Sequence, residues 1–70
     1  MERIEITTEF IKLDSFLKLS GLAETGGEAK LFIEDGLVSV NGEPCLQRGK
    51  KLRPGDRVEF DGQALEVAAG

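Results

Sequence analysis

Ten consecutive residues, Arg48 to Arg57, hold the cations Arg48, Lys50, Lys51, Arg53 and Arg57 against the single acid Asp56. Side chains of this type at this spacing do one kind of chemistry well, the electrostatic binding of phosphate-bearing chains. Covalent chemistry has far fewer candidates. The sequence contains no His, so neither a Ser/His/Asp nor a Cys/His nucleophile system can be assembled from it. The lone Cys45 lacks a Cys or His partner for a disulfide or a structural zinc site, and reads as a packing or surface thiol. Carboxylate and lysine chemistry remain, but no spacing in the sequence supplies a pocket for either. The expectation is a protein without catalytic residues, metal or cofactor. With four Phe and no Tyr or Trp, stacking of bases on aromatics is not its main device for holding a nucleic acid.

The formal net charge of the 70 residues is −4, which by itself argues against a nucleic-acid partner. Its distribution argues the other way. Residues 1–46, 48–57 and 58–70 sum to −5, +4 and −3. The basic stretch is a loop on an acidic body, and its local field selects a nucleic-acid edge while the remainder repels other backbone. Size sets a second bound. The apolar inventory is nine Leu, four Ile, four Val and four Phe, nearly all of it needed for one core in so short a chain. A single domain over residues 1–70 is expected, with its function on the surface and no deep cleft for a small-molecule substrate. One unpaired Cys, no apolar run near the ~18 residues of a membrane span and no basic-then-apolar leader point to the cytoplasm, with no membrane partner.

The elements that must position these residues follow from periodicity. Arg3 to Thr7 alternates as a short edge strand does. From Leu13 the period becomes helical through Phe16, Leu17 and Ser20, with Asp14 as the expected cap and Gly21 as a left-handed stop. Thr25-Gly26-Gly27-Glu28 is a capping box, in which hydroxyl and carboxylate each satisfy an end amide, so a second helix begins there. Its inward stripe is Ala29, Phe32 and Ile33, Lys30 and Glu34 face outward, and Gly36 ends it. Val38 and Val40 run into Asn41-Gly42, a hairpin turn; a return strand is predicted near Pro44 to Gln47, short or at an edge because Pro44 has no amide hydrogen. Leu52 to Asp56 reads as a turn, Arg57 to Phe60 as a strand, Asp61-Gly62 as a second hairpin turn and Gln63 to Val67 as the last strand. The fold class is α+β, two short helices packed on a small, mostly antiparallel sheet of four to five strands.

Five stretches in this order carry a likeness: Leu13 to Leu17, Gly21-Leu22, Glu28 to Ile33, Gly36 to Gly42 and Leu52 to Asp56. Together they resemble the RNA-binding domain named after small-subunit ribosomal protein four, over about residues 12–60. The Val38-Ser39-Val40-Asn41-Gly42 hairpin followed by a basic stretch and Pro54-Gly55-Asp56 is the most specific part. The Thr25 to Lys30 and Arg48 to Arg53 segments, with the chain length, look like the stand-alone YbcJ/YaaA-like group, which consists of this domain with short extensions. The resemblance implies that the two helices and the following hairpin form an L-shaped unit, the alpha-L motif, that docks on structured RNA without catalysis. Ribosomal or transfer RNA is the implied partner, bound by a monomer through phosphates and 2′-hydroxyls. The implied contacts are Lys12, Thr25, Gly26, Gly27, Lys30, Arg48, Lys50, Lys51 and Arg53, gathered around one concave surface.

The sequence departs from the family pattern at two of these positions. Many members with appended catalytic domains carry Arg ahead of the first helix and again at the start of the second; here the first is Lys12 and the second helix opens on Gly26-Gly27. Lysine keeps the charge without the forked two-point grip, whereas the glycines bare backbone amides that a phosphate oxygen can approach closely. Two other functions compete. One is a protein-interaction adaptor that uses the acidic outer face. The other is a small sulfur carrier, which needs a C-terminal Gly-Gly where this sequence has Ala68-Ala69-Gly70.

Overall fold

In the computed structural model, which describes residues 1–70, the chain runs β1 (Glu2–Ile6), β2 (Ile11–Lys12), α1 (Leu13–Leu19), α2 (Gly26–Glu34), β3 (Val38–Val40), β4 (Glu43–Pro44), β5 (Lys51–Leu52), β6 (Arg57–Phe60) and β7 (Gln63–Ala69). Five strands form one sheet in the order β1-β7-β6-β3-β4, antiparallel except for the parallel pair β1–β7. Strands β2 and β5 form a separate two-stranded antiparallel ribbon. The fold is α+β, as the sequence predicts.

Register places apolar residues side by side. Val40 pairs with Val58, Val58 with Leu65, and Ile4 with Val67, so one face of the sheet is a continuous apolar surface. Leu13, Phe16 and Leu17 of α1 and Ala29 and Ile33 of α2 close over it and are fully buried. Phe32 stacks on Phe60 at the margin of the core, ring centroids 4.6 Å apart. No helix is long and apolar enough to cross a membrane.

Turn chemistry fixes where the strands reverse. Asn41 and Gly42 have φ of 53° and 88°, and Asp61 and Gly62 have φ of 53° and 77°. Positive φ at both central residues is the two-residue hairpin turn whose twist matches the flanking strands. Asn41 does more than turn. Its Nδ2 donates to Asp56 Oδ1 at 3.1 Å, and its Oδ1 accepts from the Arg57 amide at 2.9 Å. Asp56 Oδ2 in turn accepts from the Arg53 amide at 2.9 Å. One asparagine therefore ties the β3–β4 turn to the Arg53-Pro54-Gly55-Asp56 turn that follows the basic stretch.

Several expectations change in detail. Asp14 does not cap α1: the N-cap is Lys12, without a side-chain bond, and Asp14 lies inside the first turn, where its Oδ1 accepts from the Ser15 amide. The capping box at α2 forms, with Thr25 Oγ1 accepting from the Glu28 amide at 3.1 Å, but the Glu28 carboxylate reaches one residue further back, to the Glu24 amide. The return strand occupies Glu43–Pro44 instead of Pro44 to Gln47, and the last strand continues to Ala69. Lys51–Leu52, read as loop and turn, is strand β5. It anchors on Leu52, which is fully buried.

Asn41→Ala removes two hydrogen bonds of ~1 kcal/mol each and places a Cβ-bearing residue of no turn preference in the left-handed region, so urea unfolding should show a loss of about 2–4 kcal/mol. Asn41→Gly keeps the backbone geometry and should lose only the hydrogen-bond part, about 1–2 kcal/mol.

Candidate nucleic-acid interface

A helix start leaves its first backbone amides without partners, and at α1 the N-cap Lys12 makes no side-chain bond to them. The basic loop supplies the acceptors. The Leu13 amide donates to the Lys50 carbonyl at 2.9 Å and the Asp14 amide to the Arg48 carbonyl at 3.1 Å. With the backbone of residues 48–50 turned to the helix, the Arg48, Lys50 and Lys51 side chains stand exposed. The ribbon completes the attachment by pairing Ile11 with Leu52 and Lys12 with Lys51.

Strand alternation then sorts the side chains of the ribbon. Ile11 and Leu52 face the core, so Lys12 and Lys51 face outward, directly opposite each other. Phe10 and Arg53, next along each chain, share that outer face. Lys51 Nζ lies 4.8 Å from the Phe10 ring centroid and Arg53 Cζ 5.9 Å from it.

The electrostatics of this region are set by what the carboxylates avoid. Two of the nine basic side chains make ion pairs, Arg3 with Glu66 at 3.9 Å and Lys30 with Glu34 at 4.0 Å. The other seven, Lys12, Lys18, Arg48, Lys50, Lys51, Arg53 and Arg57, have no carboxylate within 4.0 Å, although the chain carries thirteen acids. Asp56, the one acid within the basic stretch, spends both oxygens on Asn41 and on the Arg53 backbone.

The start of α2 forms a second station. Thr25, Gly26 and Gly27 are exposed. Neither glycine has positive φ, and a methyl group on Gly26 or Gly27 would meet nothing closer than 4.0 Å, so neither conformation nor packing demands glycine here. The neighbour that such a methyl on Gly26 would touch is Lys18 Cδ. Lys18 was not singled out by the sequence, and its only signal there is its place in the last turn of α1, beside the link to α2. The two stations sit toward opposite ends of α1, whose seven residues span about 10 Å. Lys12, Arg48, Lys50, Lys51 and Arg53 are brought together; no hydrogen bond or ion pair joins them to Thr25, Gly26 or Gly27. Lys30 stands apart on α2, engaged with Glu34.

Two short helices followed by a hairpin, with a cationic loop stapled to the first helix, define a domain of the alpha-L class. The sequence profile of the S4 domain matches residues 4–68, and the chain belongs to the S4 domain family. It is 49% identical over 59 residues to the probable ribosome maturation protein RlbA of Bacillus subtilis, covering 84% of this chain and 83% of that one. It is 36% identical over 59 residues to the putative RNA-binding protein YbcJ of Escherichia coli, with 84% of each chain covered. The solution structure of E. coli YbcJ, described as revealing a motif involved in RNA binding, superposes with a TM-score of 0.75 at 31% identity, over 99% of this chain and 89% of that one.

Because nothing structural requires glycine at position 27, Gly27→Ala should raise the free energy of unfolding by about 0.4–1 kcal/mol, chiefly by reducing the freedom of the unfolded chain. Thermal or urea denaturation measures this directly.

Proposed function

We propose that this chain binds structured RNA through its basic loop and the start of α2, as a binding module that carries out no reaction. The observation that carries the reading is the set of seven cations kept clear of thirteen carboxylates. An acidic protein with no use for those cations gains by pairing some of them. Ribosomal RNA is the proposed target, because the RlbA relative is named for ribosome maturation and the YbcJ relative for RNA binding.

In this reading Lys12, Arg48, Lys50, Lys51 and Arg53 contact successive phosphates along one RNA backbone. Gly26 and Gly27, whose amides have no intrahelical acceptor, approach a further phosphate with Thr25 and Lys18 beside them. Lys30 adds charge at the margin, reduced by Glu34. Such contacts read the shape and groove width of folded RNA more than its base sequence. The sulfur-carrier alternative fits poorly, since Ala68 and Ala69 lie in β7 and the Gly70 amide donates to the Ile6 carbonyl at 2.9 Å. A carrier needs that segment extended and free.

If roughly three to five phosphates are neutralised, a plot of log affinity against log salt should have a slope of about −2 to −4. Salt-independent affinity would remove the electrostatic basis of the proposal. Lys50→Glu with Lys51→Glu should weaken binding about fivefold or more for each reversal while leaving the protein folded, since both side chains are exposed. An acidic-face adaptor would keep its partner through that change. Gly26→Ala with Gly27→Ala should weaken RNA binding in a gel shift despite the gain in stability; undiminished binding would reduce the glycines to an interhelical link.

A further inference from the structure

The outer face of the β2–β5 ribbon breaks a rule of strand pairing. Lys12 and Lys51 stand directly opposite, an arrangement that like charges destabilise, and no carboxylate relieves them. Phe10 is the neighbour that does. Its ring is half-buried, with Lys51 Nζ at 4.8 Å and Arg53 Cζ at 5.9 Å from the centroid. The Phe10 carbonyl accepts from Thr8 Oγ1 at 2.8 Å.

We propose that Phe10 is a positioning residue that holds Lys51 and Arg53 over its ring for the phosphodiester backbone of RNA, an inference that rests on the RNA-binding reading above. The choice of an aromatic ring is what gives the arrangement its meaning. A carboxylate at this place would order the two cations and at the same time cancel their charge. The negative face of the ring attracts them through its quadrupole and carries no net charge, so the full positive charge stays available to a phosphate. Ordering beforehand also removes part of the entropy that two long, flexible side chains lose on binding.

The test compares wild type, Phe10→Leu and Phe10→Trp for affinity to a fluorescently labelled RNA stem-loop at low salt, with proton NMR of the free proteins. Phe10→Leu should bind about two- to fivefold more weakly, and Phe10→Trp, whose ring attracts cations at least as well, should bind as wild type does. In the free wild type and Phe10→Trp the Lys51 side-chain methylene protons should be shifted upfield by the ring, and in Phe10→Leu they should return to ordinary positions. Equal binding by wild type and a folded Phe10→Leu would overturn the role of the ring and leave RNA binding standing. Unshifted Lys51 methylenes in the free wild type would overturn it as well. Failure of the wild type to bind the stem-loop would overturn the RNA reading itself, and the role of Phe10 with it.

Discussion

Helix α1 begins on the amides of Leu13 and Asp14, which the carbonyls of Lys50 and Arg48 satisfy. Each such hydrogen bond contributes about 1 kcal/mol, so the helix depends on the loop lying against it. The dependence runs both ways. A stretch with five cations and only Leu52 as a large apolar side chain has little of its own to fold around, and these bonds, with Leu52 sunk in the core, give it one conformation. Asn41 and Asp56 hold the far end of the same stretch. A segment whose composition is that of a mobile loop becomes a fixed scaffold for charges.

That scaffold places positive charge where stability alone would not. The N-terminal end of a helix carries the positive end of its dipole and favours anions, yet Lys12, Arg48, Lys50 and Lys51 are gathered there. Local rules are broken in this way where function has a claim on the residues. The sheet shows the opposite behaviour. Arg3 pairs with Glu66, and Val40, Val58 and Leu65 line up in register over the core.

The parts of the fold written in the sequence are those with a local cause. Asn41-Gly42, Asp61-Gly62, Gly21 and Gly36 adopt the positive φ that their types permit, and Thr25 caps α2 through its own hydroxyl. What could not be read was made by residues far apart in the chain. The carbonyls that cap α1 lie more than thirty residues downstream, and Asp14, the nearest residue of capping type, lies inside the helix. Strand β5 has two residues, too few for alternation to register, and the parallel partner of β1 leaves no mark in β1 itself. For the candidate interface the charge cluster was plain in the composition. Lys18 and Phe10 gain significance only from their neighbours, Gly26 in one case and Lys51 and Arg53 in the other.

The place of β7 in the sheet has a consequence for how the molecule is made. The strand that comes last in sequence lies in the interior of the sheet, between β1 and β6, and β1 pairs with nothing else. During synthesis β1 therefore emerges long before its only partner, and all the residues between β1 and β7 must leave the ribosome before the sheet can close. Contacts between the two ends are the slowest kind to form. Through that interval the exposed edge of β1 is guarded by Glu2, Arg3 and Glu5, charged side chains that discourage pairing with a neighbouring nascent chain.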